Sequence, residues 1–151
     1  MITINALIRI PPQMRAKNVW VPRAGKRPYG KSNDASTWLT FDEAVRRGKG
    51  NVCFALDGDG LVALDLDDCI DEDGVLHPNA RKIIDLCLSY TEVSLSGHGL
   101  HIFGYAKLPF TGRKKGVLEI YGANRFIAVT GNVFEDRREL KCIQAGVDVL
   151  I

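Results

Sequence analysis

Short strands joined by tight turns and interrupted by helical segments predict an α+β fold with a largely antiparallel sheet and its helices on one face. Three observations carry this. Asp57-Gly58-Asp59-Gly60 separates two strand-like runs, Asn51 to Leu56 and Leu61 to Asp67. Gly122-Ala123-Asn124 separates two more, Gly116 to Tyr121 and Phe126 to Thr130. Ala80, Ile83, Ile84 and Cys87 follow Pro78 at the i, i+3, i+4, i+7 spacing of a helix lying on a sheet. Both strand pairs are expected to be hairpins, and the face opposite the helices is expected to be open for a ligand.

The other elements follow in order. Pro11-Pro12 opens a short helix, because proline fits the first helical turn. Val19-Trp20-Val21 reads as a strand, and the Gly-, Pro-, Lys- and Arg-rich stretch from Pro22 to Ser36 as a loop. Thr40-Phe41-Asp42-Glu43 matches a capping box, with Glu43 reaching back to Thr40, and that helix is expected to stop at Gly48 or Gly50. Glu92 to Leu95 and Leu100 to Tyr105 are strands around Ser96-Gly97-His98-Gly99. Glu135 to Ile151 gives mixed signals.

The chain of 151 residues is read as a single domain spanning 1–151, long enough to bury a core without disulfides. Its 46% hydrophobic and 25% charged residues suit a soluble globular protein. No apolar run approaches a membrane span, and the N-terminus lacks the features of a signal peptide, so a cytoplasmic protein without membrane association is expected. None of Cys53, Cys69, Cys87 and Cys142 forms a C-x-x-C pair, so no zinc site is expected. Cys53 and Cys87 are expected to be core thiols.

Net charge is only +2, but it is segregated. Residues 1–33 carry seven bases and no acid, whereas residues 51–80 carry eight acids and no Lys or Arg. A second basic cluster, Arg113-Lys114-Lys115, precedes Glu119. That pattern suits a protein holding polyanions on one surface and cations on another.

The chemistry concentrates in four segments. In Leu64-Asp65-Leu66-Asp67, strand alternation sends both leucines to the core and both aspartates to the opposite face, with their Cα atoms about 7 Å apart. Aspartate is depleted in strands, and two carboxylates side by side repel unless a hard cation such as Mg²⁺ or Mn²⁺ sits between them. An EF-hand does not fit, because its fifth, sixth and twelfth loop positions would be Leu61, Val62 and Asp68. Ser96-Gly97-His98-Gly99-Leu100-His101 offers a hydroxyl, close backbone approach at two glycines and an imidazole to a phosphate. In Val117-Leu118-Glu119-Ile120-Tyr121, Glu119 faces away from the core and would add a third carboxylate, the number a two-metal phosphoryl-transfer site needs. Arg125 follows a turn and could present a fork-shaped donor to phosphate.

Together these segments resemble the archaeo-eukaryotic primase superfamily, and most of all the primase-polymerase domains (bifunctional DNA primase/polymerase N-terminal) of phages, plasmids and other mobile elements. That family's pattern is an Asp-x-Asp strand, a Ser-Gly-x-Gly-x-His turn and an acid on a later strand, matched here by Asp65 and Asp67, Ser96 to His101, and Glu119. The likeness runs from about residue 11 to 132, through Trp20-Val21-Pro22, Gly25 to Tyr29, Ala35 to Trp38 and Arg125 to Gly131.

The resemblance implies an RRM-like catalytic core beside a small N-terminal αβ unit, acting as a template-dependent DNA primase/polymerase. It implies that Asp65, Asp67 and Glu119 are catalytic and bind two Mg²⁺ or Mn²⁺ ions. Ser96, Gly97, Gly99, His101 and Arg125 would bind nucleotide, and Arg23, Lys26, Arg27 and Lys31 nucleic acid. The implied partners are a single-stranded DNA template, dNTPs or rNTPs, and a replicative helicase, fused or separate. Such domains are often joined to further modules, so the chain is expected to be either a fragment of a longer protein or a stand-alone one.

Two other classes stay open. A non-catalytic single-strand-binding module would stack bases on Trp20, Trp38, Tyr29 and Phe126. A replication-initiator endonuclease would use Tyr121 or Tyr105 as nucleophile, although His98-Gly99-Leu100-His101 lacks the His-hydrophobic-His spacing it needs.

Overall fold

The computed structural model describes residues 4–151. The fold is α+β, with two sheets whose neighbouring strands all run antiparallel. The N-terminal unit comprises α1 (Ile4–Leu7), α2 (Pro12–Arg15), β1 (Trp20–Ala24), β2 (Arg27–Pro28), α3 (Phe41–Gly48) and β3 (Val52–Asp57). The second unit comprises β4 (Leu61–Leu66), α4 (Pro78–Leu86), β5 (Thr91–Val93), β6 (Leu100–Tyr105), β7 (Gly112–Lys115) and β8 (Leu118–Tyr121). The chain then returns to the first sheet as β9 (Ala123–Val129) and ends in α5 (Gln144–Leu150). The sheets have the orders β2-β1-β3-β9 and β5-β6-β4-β8-β7.

Within the second sheet, β4-α4-β5 with β6 inserted between its strands is a split βαβ unit, and β8 flanks β4 on the other side. That is the expected RRM-like arrangement. No helix lies between β6 and β8; α5, from the tail that gave mixed signals, packs beside α4 on the same face instead.

Neither expected hairpin forms. β3 and β4 lie in different sheets, as do β8 and β9. Both turns cross between the sheets and lie side by side, with the Gly58 N–H donating to the Gly122 carbonyl at 3.1 Å. Lys17 bonds the carboxylates of both Asp57 and Asp59 and pins the first crossing. Hairpins form instead at β1–β2, β5–β6 and β7–β8, and the last makes the basic cluster Arg113-Lys114-Lys115 an exposed edge strand. In the stretch expected to be a loop, β1 runs on to Ala24, pairs with β2, and is followed by a 3₁₀ turn at Ala35–Thr37.

The capping box is half formed. The Thr40 hydroxyl accepts from the Glu43 N–H at 3.2 Å, but the Glu43 carboxylate turns forward to Arg46 and Arg47. The helix stops at Gly48, with Lys49 in the left-handed region.

The sheet of β4 is covered on both faces over most of its area. Val62, Leu64, Leu66, Leu100, Ile102, Leu118 and Ile120 pack on one face with Ala80, Ile84, Cys87 and Val147. Leu61, Ala63 and Phe103 pack on the other with Phe54, Leu56 and Ile127 of the first sheet. An open ligand face therefore survives only at one end, where polar residues replace apolar ones. Cys53 and Cys87 are core thiols, pushed by burial up to about 12 and about 11. Among the described residues no helix is long and apolar enough to cross a membrane.

Candidate active site

The open end is built by strand register. Asp65 on β4 stands opposite His101 on β6 and Glu119 on β8. Glu92 on β5 lies beyond His101, and Lys114 on β7 beyond Glu119. Residues directly opposed in a ladder share a face, so one row across five strands reads Glu92, His101, Asp65, Glu119, Lys114. Asp67, two residues past Asp65, returns to the same face, and its N–H donates to the Val117 carbonyl at 3.1 Å.

Carboxylate oxygens of Asp65, Asp67 and Glu119 lie within 4.8 Å of one another. Burial raises the pKa of Asp65, and Glu119 adds to it while His101 opposes. Burial, then the charges of Asp65 and Glu119, raise that of Asp67. Glu119 moves down instead, because the Tyr121 hydroxyl donates to it at 2.5 Å and Lys114 and Arg125 add positive charge. Converging oxygens in which two carboxyls resist ionisation suit a hard divalent cation, whose charge would reverse that penalty. The donor set fits Mg²⁺ or Mn²⁺.

His101 is buried and held by Glu92, whose side chain is fully buried. The Glu92 carboxylate accepts from the Tyr90 hydroxyl at 2.7 Å, the Thr130 N–H at 3.0 Å and the Gly131 N–H at 3.1 Å. It lies 2.9 Å from His101 Nδ1. A carboxylate only accepts hydrogen bonds, so Nδ1 is assigned as the donor, and Nε2 is turned toward Asp65 at 3.8 Å. Burial works against the imidazolium, but the hydrogen bond and charge of Glu92, with Asp65 and Asp67, outweigh it and raise the His101 pKa.

These groups line a cleft of about 330 Å³ between the sheets. Asp65, Asp67, Ser94, Ser96, His101 and Glu119 form one wall, Arg125 to Ala128 of β9 another, and Lys26 reaches in from the β1–β2 turn. The Ser94 hydroxyl accepts from the Gly99 N–H at 3.1 Å and lies 3.2 Å from the Ser96 hydroxyl, which itself accepts from the His98 N–H. Gly99 is required by close approach: an added Cβ would sit 2.7 Å from the Leu66 carbonyl and 2.9 Å from Ser94 Oγ. Gly99→Ala is expected to cost about 1–3 kcal/mol through overpacking and to displace the Ser94–Gly99 turn. Urea unfolding and nucleotide titration measure the two effects.

Of the expected site residues, Lys26, Asp65, Asp67, Ser96, His101, Glu119 and Arg125 line the cleft, whereas Arg23, Arg27 and Lys31 do not. Arg23 is buried, and its guanidinium donates to the carbonyls of Val52 at 3.0 Å and Gly25 at 2.8 Å, which ties it to the fold rather than to the cleft. Gly97, with positive φ, shapes the turn. Arg27 and Lys31 are exposed but do not line the cleft. Arg125 is half-exposed, stacked 4.5 Å from the Tyr121 ring and 3.9 Å from Glu119. Of the aromatics considered for base stacking, Trp20 is fully buried, Phe126 lines the cleft and Tyr29 is exposed. The sequence reading passed over Glu92 and Ser94, and it named Lys114 only in the basic cluster and Tyr121 only as a possible nucleophile. For Glu92 the signal was present: an acid in a short apolar strand, the same anomaly that singled out Asp65 and Asp67.

No family model matches the chain. It is 36% identical over 138 residues to the DNA primase-polymerase of Nitratiruptor phage NrS-1. The alignment covers 83% of this chain but only 19% of that protein, so the chain spans about a fifth of its relative's length. That identity runs through a chain whose Asp-x-Asp strand, Ser-Gly-x-Gly-x-His turn and later glutamate meet in one cleft, and the chain belongs to the primase-polymerase family of phage type.

Proposed function

We propose that residues 1–151 form a catalytic domain that extends nucleic acid chains on a single-stranded DNA template, using dNTPs or rNTPs and divalent metal. The observation that carries this reading is the convergence of Asp65, Asp67 and Glu119 in a cleft also lined by Ser96, His101 and Arg125. In this reading the three carboxylates hold Mg²⁺ or Mn²⁺, which when bound would neutralise charge on the reacting phosphate and favour ionisation of the attacking hydroxyl.

The chain's own residues do the rest. His101, oriented by Glu92, presents Nε2 to a triphosphate oxygen. Ser96 donates its hydroxyl to another, with Gly97 and Gly99 allowing close approach, and Arg125 offers a guanidinium. The 3′-hydroxyl of a primer attacks the α-phosphorus, a new P–O bond forms, the α–β bridge breaks and pyrophosphate leaves. Lys26, with Arg27 and Lys31 nearby, supports the polyanion at the cleft mouth. The domain would work within a longer protein or beside a replicative helicase.

Extension of a labelled primer on single-stranded DNA tests the reading. Product is expected with Mg²⁺ or Mn²⁺ and none after chelation. A folded chain that never extends a primer, or extends it equally in excess chelator, overturns the assignment.

A further inference from the structure

Strand order gives the acidic trio two unlike flanks. On the β5–β6 side stand Ser94, Ser96 and His101; on the β8–β7 side stand Tyr121, Arg125 and the edge strand Gly112–Lys115. A second, open groove of about 270 Å³ runs along that edge, lined in part by Arg113, Lys114, Tyr121, Asn124 and Arg125. It shares Arg125 with the cleft.

The groove is built rather than incidental. Gly112 lies opposite Tyr121, where an added Cβ would meet the tyrosine ring at 2.5 Å, so the absence of a side chain lets the ring lie over β7. The ring in turn supports the Arg125 guanidinium where cleft and groove join. Lys114 faces the same side as Glu119. Among the described residues no carboxylate lies within 4.0 Å of Arg113, Lys114 or Lys115, so no ion pair competes with a polyanion at the three adjacent cations. Lysines on an edge strand also discourage pairing with other chains. That role, however, requires neither the glycine beneath Tyr121 nor a groove continuous with the cleft.

We infer that the β7 edge forms the track for the single-stranded polynucleotide, opposite the Ser96–His101 side that takes the incoming triphosphate, with the Arg125 guanidinium at the junction of track and cleft. Successive residues of β7 point to opposite faces. Lys114 therefore neutralises a backbone phosphate from the Glu119 side of the edge, and Arg113, its guanidinium 4.3 Å from the Phe110 ring, neutralises another from the opposite side. The inference rests on the function proposed above and adds which flank holds the strand.

The test compares the parent chain, Arg113→Ala/Lys114→Ala, and the control Lys82→Ala/Lys107→Ala, which loses the same charge away from the groove. A labelled oligothymidylate of roughly 20 nucleotides is titrated by fluorescence anisotropy from about 50 to 200 mM salt. The groove variant is expected to bind about 10-fold more weakly, with a log–log salt slope shallower by about 1.4, the value for two single-strand phosphate contacts. The control should stay within about 2-fold of the parent, and dATP affinity in Ca²⁺ should be the same in all three proteins.

Unchanged oligonucleotide binding in the groove variant overturns the track, as does an equal loss in the control. A matching loss of dATP affinity also overturns it, by assigning these cations to the triphosphate. A parent that extends primers while the groove variant binds DNA normally sinks only the track. A parent that neither binds the oligonucleotide nor extends a primer sinks the function with it.

Discussion

Asp65→Ala and Asp67→Ala are each expected to lower primer extension about 10³-fold or more, the scale of several kcal/mol of transition-state stabilisation lost with the metal. Neither should unfold the chain, because both carboxylates face the open cleft rather than the leucine face of β4. The isosteric Asp→Asn forms sharpen the test. Burial, joined at Asp67 by its neighbours' charges, raises both pKa values in the folded protein, so each ionised carboxylate costs the folded state stability at neutral pH. That cost is relieved as pH falls through the raised folded values. Metal-free Asp65→Asn and Asp67→Asn should therefore melt at a higher temperature than the parent at pH 7. The difference should vanish below the unfolded carboxyl value of about 3.9. Added Mn²⁺ should reverse the ranking by stabilising the parent alone. Parent and variants melting alike with and without metal would rule out the metal assignment.

The second large effect is structural. Glu92→Ala would leave the Tyr90 hydroxyl, two backbone N–H groups and the His101 ring without their shared acceptor, in a place with no exposure. Removing one partner from a buried charged network costs about 3–5 kcal/mol, a large part of a domain's usual 5–15 kcal/mol. The melting temperature should drop by about 10 °C or more. Tyr90→Phe removes one donor and keeps the charge, so it should cost only about 1 kcal/mol. Urea unfolding of the two variants separates these cases; a Glu92→Ala loss no larger than that of Tyr90→Phe would mean that water replaces the carboxylate.

How much of this was legible beforehand depends on distance along the chain. The alternation Leu64-Asp65-Leu66-Asp67 fixes faces from neighbours two residues apart, and the structure keeps those faces. The Asp-x-Asp, Ser-Gly-x-Gly-x-His and glutamate segments were likewise readable, because each depends on local spacing. Partner choice was not. Asp57 to Gly60 and Gly122 to Asn124 carry good turn chemistry, but turn chemistry does not say whether the next strand rejoins the same sheet. That choice follows from burial on both faces of β4 and from Lys17, 40 residues away from Asp57 in the chain, bonding across the crossing. The acid at Glu92 was legible in its strand but its role was not: its partners at Tyr90 and His101 are near in sequence, whereas Thr130 and Gly131 reach it from the end of β9.

The row Glu92, His101, Asp65, Glu119, Lys114 takes one residue from each strand of its sheet. A slip of one residue at β4, β5, β6 or β8 would turn that strand's polar member toward α4 and α5, among Leu64, Ile84 and Val147, whereas the exposed edge strand β7 carries charge on both faces. The ionisable groups thus act as a lock on strand pairing. A misaligned sheet would bury a charge in hydrocarbon, so a molecule that has folded at all has already aligned the parts its chemistry needs.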